Sequence, residues 1–387
     1  MKDGYFWAIL VGVILIPLLI ISLFVACGLY VPPSSELFVG VDAAYDNIDE
    51  IKQFVNEACS YTNTIVLGST GITHNFSKLN EACQYIYDHG LYFMIYAHPM
   101  NTPEELLVQR QWIIDAKPRW GSKFLGLYAF DEPGGRQLDN ATWKVVVDKE
   151  WFADNYTDAA NKYVDALTLI INHTINDQMG GAGLHLFTSD YALYWFDYKS
   201  LYNTVFAEFG WNYSTQLNVA LCRGAANVQN KDWGIMITWT YTQPPHLESA
   251  SVLYNDMVLA YNNGAKYILV FDTNDNYTHT VLDDTRLDAI KQFWQYTQDH
   301  PRSSNPIRDR VAYVLPNGFG YGFRGPNDII WGLWHNDEFS LAISTELGGL
   351  FEKYQNRLDI IYDDSLKANK LYGYSRLIFW NGTVQIP

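Results

Sequence analysis

Basic residues are scarce in this sequence, and their scarcity argues against two classes of partner. The 387 residues include 26 Lys and Arg against 42 Asp and Glu, which gives a formal net charge of −16 at pH 7. Nucleic acids and anionic lipid headgroups are repelled by such a charge, and no cluster of Lys and Arg offsets it locally. We therefore expect neither nucleic acid nor an anionic lipid surface as a partner.

The sequence also lacks the signatures of several kinds of cofactor and nucleophile chemistry. No G-x-G-x-x-G follows the first predicted strand, and there is no G-x-x-x-x-G-K-[ST], H-E-x-x-H or G-x-S-x-G. The segment 272–276 resembles the start of a calcium loop, but Tyr277 occupies the position that requires glycine. We expect no cofactor and no metal.

Cysteines are few, and the four present do not decide the compartment. Cys27 lies in an apolar run, Cys59 and Cys83 fall at matching points of two successive predicted helices and could pair, and Cys222 would stay free.

Asn-x-Ser/Thr sequons are more numerous than chance predicts, and they indicate an exported glycoprotein. They begin at Asn75, Asn140, Asn155, Asn172, Asn212, Asn276 and Asn381.

The N-terminus carries one long apolar run. No charged residue occurs from Tyr5 to Tyr30, and such a run is long enough to cross the hydrocarbon core of a bilayer. It predicts a transmembrane signal anchor over residues 1–31 and a polar stem over 32–36. The alternatives are a cleaved signal or a lipidated Cys27, because the segment 24–27 resembles a bacterial lipobox. In the anchored interpretation the protein is extracytoplasmic, at the cell surface.

The middle of the chain alternates apolar strands with amphipathic helices. Near-continuous apolar runs are typical of parallel strands covered on both faces, and eight such units predict a (β/α)8 TIM barrel over residues 37–302. An open doubly wound sheet is the alternative. The predicted strands are Leu37–Ala43, Thr64–Gly68, Tyr92–Tyr96, Phe124–Phe130, Leu184–Thr188, Val205–Phe209, Trp233–Trp239 and Tyr267–Phe271.

A linker near residues 300–306 precedes a small C-terminal α/β domain of flavodoxin or Rossmann-like type over residues 303–387. Its predicted elements are strand Arg310–Leu315, helix Phe339–Tyr354, strand Leu358–Tyr362 and strand Arg376–Trp380. Oligomers could form through this domain. The fold class is thus α/β, with a transmembrane helix, a barrel and a small α/β domain.

Active sites of TIM barrels lie at the carboxyl ends of the strands, where this sequence supplies carboxylates and aromatic rings. The strongest signal is Asp131-Glu132-Pro133, which leaves an otherwise apolar strand four. Burial beside the core raises the pKa of a carboxyl group towards the range of a working acid. Pro133 is expected to hold Glu132 extended, with its side chain in the barrel mouth. The alternative is a capped or salt-bridged loop entry without catalytic function.

This triplet resembles those of (β/α)8 glycoside hydrolases. In the large retaining group an Asn-Glu-Pro triplet ends strand four, with its Glu as general acid/base, and a second Glu ends strand seven. Here Asp131 replaces the Asn, and Trp239-Thr240-Tyr241 ends strand seven without a Glu. An Asp-Glu pair is also similar to substrate-assisted N-acetylhexosaminidases, in which the Asp orients the acetamido nucleophile of the substrate. The C-terminal domain resembles the one that follows the barrel in some β-galactosidases.

We therefore hypothesise a membrane-anchored glycoside hydrolase acting on a carbohydrate substrate, either β-linked hexosides or N-acetylhexosaminides. The alternative is a catalytically inactive barrel that binds glycans or serves a structural role at the cell surface. Glu208 could be a second carboxylate or could pair with Arg223. The candidate catalytic residues are Glu132, Asp131, Glu208 and Glu248, and the candidate substrate-binding residues are Asp42, His98, Asp190, Trp239, Tyr241 and Asp272.

Overall fold

A computed structural model describes residues 37–139, 144–146, 153–302, 309–363 and 373–387. Eight parallel strands close into a barrel in which each strand pairs with its neighbour in sequence and β1 pairs with β8. The strands are β1 (Phe38–Ala43), β2 (Thr64–Leu67), β3 (Tyr92–Ala97), β4 (Phe124–Ala129), β5 (Leu186–Asp190), β6 (Thr204–Phe209), β7 (Asp232–Ile237) and β8 (Tyr267–Asp272). The prediction of a barrel rather than an open sheet is confirmed.

Helices cover the outside of the barrel. Most begin at a side chain that caps the first backbone N–H groups, such as Asn47 and Thr102, which satisfies donors that a helix leaves unpaired. The barrel helices are α1 (Ile48–Ala58), α2 (Thr70–Thr73), α3 (Phe76–Asp88), α4 (Pro103–Trp120), α5 (Pro133–Asp139), α6 (Tyr156–Ile170), α7 (Tyr194–Lys199), α8 (Thr215–Gln229), α9 (Ala250–Asn262) and α10 (Asp284–Asp299). Short 3₁₀ and π segments at Gly121–Lys123 and Ile171–Gln178 complete this layer.

Two buried layers hold the barrel together. The strands are buried on both faces, as their apolar runs predicted. Inside the barrel, rings such as Phe187 and Phe206 stack at 5.6 Å between centroids, and Phe38 stacks on Tyr267 at 4.8 Å. Outside, the strands pack against the helices in one larger apolar cluster. The filled interior leaves space for a ligand only at the ends of the barrel.

The predicted fold class needs one correction, which concerns its transmembrane helix. In the parts of the chain that the structure describes, no helix is long and apolar enough to cross a membrane. Segment 1–31, to which the prediction assigned the helix, lies outside the described residues. The structure therefore supports the barrel and the C-terminal unit, but not the transmembrane helix.

In its described residues, 309–363 and 373–387, the C-terminal unit is a four-stranded sheet with one α-helix. Its elements are β9 (Arg310–Leu315), α11 (Glu338–Tyr354), β10 (Leu358–Tyr362), β11 (Tyr374–Phe379) and β12 (Val384–Gln385). The strand order is β10-β9-β11-β12, with parallel pairing except for the antiparallel β12. The three parallel strands and the helix agree closely with the elements expected from the sequence.

A buried ion pair joins this unit to the barrel. The Arg223 guanidinium of α8 donates to Asp359 Oδ1 at 2.6 Å, and both side chains are at most 1% exposed. Further donations from Arg223 reach the carbonyl oxygens of Asn356 and Leu358, each at 2.9 Å. A Cβ at Gly224 would lie 2.4 Å from Ile360 O, so only glycine permits this approach of helix and strand.

We predict that Asp359→Ala lowers the free energy of unfolding by about 3–5 kcal/mol, because it leaves the buried Arg223 charge without its carboxylate. Denaturant titration followed by circular dichroism measures this change. The matched control is Glu81→Ala, which removes the exposed partner of Lys52 and should cost less than about 1 kcal/mol. Equal losses in both variants would contradict the importance of the buried pair.

Candidate active site

A cavity of about 320 Å³ opens at the carboxyl ends of the barrel strands. We call it lobe A. Its walls combine carboxyl groups, hydroxyl groups and aromatic rings, which is the composition of a site that binds a polar ring compound. The lining residues are Tyr128, Asp131, Glu132, Arg136, Ser189, Glu208, Trp211, Met236, Thr238, Trp239, Phe271 and Tyr277.

Hydroxyl groups connect two of the acids in lobe A. Ser189 Oγ lies 2.5 Å from Glu208 Oε1 and 3.1 Å from Asp131 Oδ1. Tyr128 Oη lies 2.9 Å from the same Ser189 Oγ and donates a hydrogen bond to Asp131 Oδ1. This network fixes carboxyl groups from the ends of β4 and β6 beside one another. The alternative partner suggested for Glu208 is wrong, because Arg223 binds Asp359 instead.

Glu132 is held by an unusual backbone conformation. Its φ is +51°, and that of Phe130 is +56°, so the expectation that Pro133 holds Glu132 extended is wrong. Positive φ values also occur at Trp211 and Tyr277, which line the same lobe. Such values are costly for residues other than glycine and concentrate at functional sites, where the surrounding structure imposes them.

Asp190, a predicted substrate-binding residue, lines neither lobe and binds the backbone that follows Glu132. Its buried carboxylate accepts from the backbone N–H groups of Gly134 at 2.5 Å and Gly135 at 2.9 Å. It also accepts from Tyr191 N and Ala192 N, at 2.8 and 3.1 Å. The start of α5 is thereby tied to the end of β5. Glu132 N donates to Ser189 O at 3.0 Å and strengthens the same connection.

Burial and repulsion from neighbouring carboxylates keep two acids of lobe A, Glu132 and Glu208, protonated at unusually high pH. Burial, followed by the charges of Asp131 and Asp190, raises the pKa of Glu132 from 4.5 to about 8. Contact with the Glu208 carboxyl and the positive charge of Arg136 oppose this rise. Burial and the charge of Glu132 likewise raise the pKa of Glu208 well above its ordinary value. At neutral pH lobe A therefore contains a carboxylic acid that can give up a proton.

A second cavity, of about 330 Å³, adjoins lobe A. We call it lobe B. The two lobes share Tyr128, Asp131, Arg136, Phe271 and Tyr277, so they lie side by side at the mouth of the barrel. Lobe B adds Asp42 from β1, a predicted substrate-binding residue, together with Ala44, Gly68, Ser69, Thr70 and Tyr96.

The remaining predicted site residues divide into one that lines the cavity and four that do not. Trp239 lines lobe A, where it stacks on His246 and donates from Nε1 to Thr273 O at 3.1 Å. Tyr241 and Glu248 lie outside both lobes and contact one another at 3.1 Å.

His98 and Asp272 also lie outside the cavity and have other partners. His98 is exposed, with Nδ1 3.1 Å from Pro99 O. Asp272 is buried and accepts from Val281 N and Thr280 Oγ1, each at 2.8 Å, so it holds the loop after β8. His98 thus lies in the loop after β3, while Asp272 ends β8 and binds the loop that follows it.

Several lining residues escaped the sequence analysis. Ser189 and Thr238 are small polar residues at strand ends, and a search of those ends for hydroxyl groups as well as carboxylates would have found them. Tyr128 lies in the apolar run of β4, so the sequence indicated it as a core residue and not as a hydroxyl group of the site. Arg136 comes from the short helix α5 and Tyr277 from the loop after β8, and the direction of both segments depends on tertiary packing.

The part of the chain that the structure describes contains no group of three or more His, Cys, Asp or Glu side chains arranged to hold a metal ion. The polar and aromatic side chains that line the two lobes carry carboxyl, hydroxyl, guanidinium, phenol and indole groups.

The sequence matches no protein-family model, and it matches no curated protein. Among solved structures, a GH5_18 protein from Streptomyces cattleya in complex with Manβ1-4GlcNAc is similar, with a TM-score of 0.57 and 11% identity over 89% of this chain and 99% of that chain. The cold-adapted β-galactosidase from Rahnella sp. R3 has a TM-score of 0.57 and 13% identity, over 90% and 68% of the two chains.

A catalytic mutant of Gan42B, a GH42 β-galactosidase from G. stearothermophilus, has a TM-score of 0.56 and 12% identity over 90% of this chain and 68% of that chain. At these identities the likeness establishes the fold. This chain has the (β/α)8 barrel fold of glycoside hydrolases, as the resemblance in its sequence implied. The role of the Asp-Glu-Pro triplet stays a prediction.

We predict that the Glu208→Gln variant melts at least about 2 °C above the wild type at pH 8. Near pH 4 the two proteins should melt at the same temperature. The folded state raises the pKa of Glu208, so the native protein binds its proton more tightly than the unfolded chain does. Wild-type stability is therefore lost as pH rises above about 4.5, the unfolded value, while the uncharged amide avoids this loss.

Differential scanning calorimetry at both pH values measures the effect. Glu248→Gln is the matched control, because that side chain lies outside both lobes, and it should give the same difference from wild type at pH 4 and pH 8. A Glu208→Gln variant that is no more stable than wild type at pH 8 would contradict a raised pKa at Glu208.

Proposed function

We propose that the protein is a glycoside hydrolase acting on β-linked hexosides or N-acetylhexosaminides, with Glu132 as general acid. One observation carries this proposal: Glu132, with its pKa raised to about 8, lines an aromatic-walled cavity at the barrel mouth beside Asp131 and Glu208. Cleavage of a glycosidic bond needs a protonated carboxyl for the leaving oxygen and a second group that stabilises the positive charge developing at the anomeric carbon.

The end of β7 favours N-acetylhexosaminides as the substrate class. Two-carboxylate mechanisms need a second carboxyl group, about 5–5.5 Å from the acid for retention or about 6.5–9.5 Å from it for inversion. Among the described residues, β7 and the loop after it place no carboxyl group in the wall of either lobe, and Glu248 instead contacts Tyr241 outside them. A nucleophile supplied by the substrate removes the need for a carboxyl group there.

In that route Glu132 gives its proton to the glycosidic oxygen as the bond to the anomeric carbon breaks. The acetamido oxygen of the substrate attacks the same carbon from the opposite face and forms a cyclic oxazolinium ion. Asp131, fixed by Tyr128 and Ser189, orients the acetamido N–H and balances the positive charge. Water then attacks the anomeric carbon, whose bond to the acetamido oxygen breaks, and the Glu132 carboxylate takes a proton from this water, which regenerates the acetamido group and the protonated Glu132.

Hydrolysis of plain β-hexosides is the second candidate, and Glu208 is the observation that favours it. Its Oε2 is buried and has no hydrogen-bond partner among the described residues, although Glu208 lines lobe A. If Glu208 moved away from Glu132 on substrate binding, it could serve as the second carboxylate. The β-galactosidase names of two similar structures and the β-linked disaccharide in the third fit β-linked substrates of either class.

An extracytoplasmic location stays a prediction. Exposure of the sequons supports it, because an oligosaccharide can be attached only to an accessible asparagine. The sequon asparagines that the structure describes are all exposed, namely Asn75, Asn155, Asn172, Asn212, Asn276 and Asn381, while Asn140 lies outside the described residues.

We expect Glu132→Gln to reduce kcat by about 10²–10⁴-fold on β-glycosides with an unactivated sugar aglycone, because the amide cannot donate a proton to the leaving oxygen. Release of free sugar from a panel of β-linked disaccharides of hexoses and of N-acetylhexosamines by the full chain measures this. Glu248→Gln is the control and should retain wild-type rates. A wild-type chain that binds glycans but cleaves none of the panel would instead support an inactive glycan-binding barrel.

The proposed acid also fixes the sign of the pH dependence. Glu132 donates a proton only below its folded pKa of about 8, so kcat/KM should stay high through neutral pH and fall tenfold per pH unit above that value. A pH–rate profile from pH 5 to 10 measures the alkaline limb. An ordinary carboxylic acid at this position would instead place the fall near pH 4.5, which would contradict the assignment.

A further inference from the structure

The loop after β8 carries an aromatic ring into the wall that the two lobes share. Tyr277 lines both lobes, and its ring centroid lies 6.3 Å from that of Trp239 in lobe A. The residue is 52% exposed, so packing against the barrel covers only about half of it. Its φ of +57° is unfavourable for a residue with a side chain and persists only where the surrounding structure imposes it. The position of this ring therefore depends on how the loop is held.

Asn274 closes part of this loop into a compact turn. Its Oδ1 accepts from Thr278 N at 2.9 Å, and its own N–H donates to His279 O at 2.9 Å. Tyr277 N donates to Asn274 O at 3.1 Å across the same segment. These bonds fix the shape of residues 274–279, which we call the Tyr277 turn. Because all of them lie within the turn, they do not fix its place relative to the barrel.

Glu50 of α1 binds the end of the Tyr277 turn from outside the site. Its Oε1 lies 2.6 Å from His279 Nδ1, which is the donor because a carboxylate can only accept, and its Oε2 accepts from Thr280 N at 3.0 Å. Asn47, the N-cap of α1, donates from Nδ2 to Glu50 Oε1 at 2.9 Å and so orients the carboxylate. Glu50 lines neither lobe, so it acts on the site through the turn.

Other contacts hold different parts of this loop. Asp272 accepts from Thr280 Oγ1 and Val281 N, which fixes the return of the loop towards α10. Asp46 N donates to Tyr277 O at 3.2 Å, in a hydrogen bond between neutral groups. A charged acceptor makes a stronger hydrogen bond than a neutral one, so the two bonds to Glu50 should hold the turn more firmly than the bond from Asp46 does.

We infer that Glu50 is a positioning residue, which holds the Tyr277 turn against the barrel mouth and thereby sets the place of Tyr277 between the two lobes. A ligand in either lobe meets Tyr277 but not Glu50. Loss of Glu50 should therefore weaken ligand binding without removing a group that takes part in the reaction. The tether depends only on the contacts described above, whereas its effect on hydrolysis rests on the proposed function.

Backbone amide exchange tests the tether without reference to any activity. Glu50→Asp keeps a negative charge at the start of α1 but shortens the side chain by about 1.5 Å, so both bonds to the loop are lost. Hydrogen–deuterium exchange of the full chain, followed by mass spectrometry, should show peptides that cover residues 273–281 exchanging at least about fivefold faster.

Two variants of α1 serve as controls for this measurement. Glu50→Gln keeps the length of the side chain and can still accept from Thr280 N, so exchange should return to within about twofold of the wild-type rate. Glu57→Asp makes the same change at an exposed residue of the same helix that lines neither lobe, and it should leave exchange over residues 273–281 unchanged.

A double-variant cycle tests whether Glu50 acts through Tyr277. On the disaccharide of the panel that the wild type cleaves fastest, Glu50→Asp should raise KM about fivefold while kcat changes by less than about twofold. Tyr277→Ala should also raise KM. The double variant should have the KM of Tyr277→Ala alone, because loss of the tether has no further effect once the ring has been removed.

Unchanged exchange in Glu50→Asp would overturn the inference, even if the wild type hydrolyses glycosides. Increases in KM that combine independently in the double variant would overturn it too, because Glu50 would then act by another route. Faster exchange in Glu50→Asp, in a protein whose wild type hydrolyses none of the panel, would leave the tether standing and refute the proposed function alone.

Discussion

The geometry of the site depends on the carboxylate of Asp190. This buried group accepts four backbone N–H groups, two from the start of α5 and two from the loop after β5. Burial raises the pKa of Asp190, and the four donors oppose that rise. Removing the carboxylate would leave four buried donors without an acceptor, at a cost far above that of one surface hydrogen bond. Glu132 is held in its left-handed conformation because the residues after it are tied down in this way.

The same region shows how a barrel can support an acid with a raised pKa. Glu132, Asp131 and Glu208 come from two strand ends. Repulsion between their carboxyl groups destabilises the folded state. Few positive charges offset this repulsion, since Arg136 is the one Lys, Arg or His side chain among the described residues that line lobes A and B. The packing of apolar side chains inside and around the barrel stabilises the fold and offsets the destabilisation by the clustered carboxyl groups.

The fold could be predicted from the sequence because each strand is covered on both faces. The apolar runs of β4 and β9 therefore coincide with the strands almost residue by residue. At β5 the prediction began two residues early, because Leu184 N bonds to Gly181 O in a turn. The run that ended in Trp239 was also too long, since Thr240 N and Tyr241 N bond to His246 O instead of continuing β7.

The site could be predicted less well, for a physical reason. A sequence gives the strand end on which a carboxylate lies, but it does not give the partner to which that carboxylate turns. Glu132 and Asp190 follow apolar strands in the same way, yet one faces the cavity and the other faces backbone amides. Proline at 133 indicated an extended Glu132, but the amide donors of Gly134 and Gly135 overrode this local preference.

The close approach of Gly224 to Ile360 packs the barrel directly against the C-terminal unit, so the two cannot be separated without breaking buried contacts. The barrel and the C-terminal unit are continuous through a buried ion pair and a glycine contact, and Gln137 of α5 also donates to Trp331 O of the C-terminal unit at 2.8 Å. A chain cut after the barrel would expose an apolar face of α8 and leave the Arg223 charge without its carboxylate. The barrel is thus not a self-sufficient module, and the two units should unfold in a single cooperative transition.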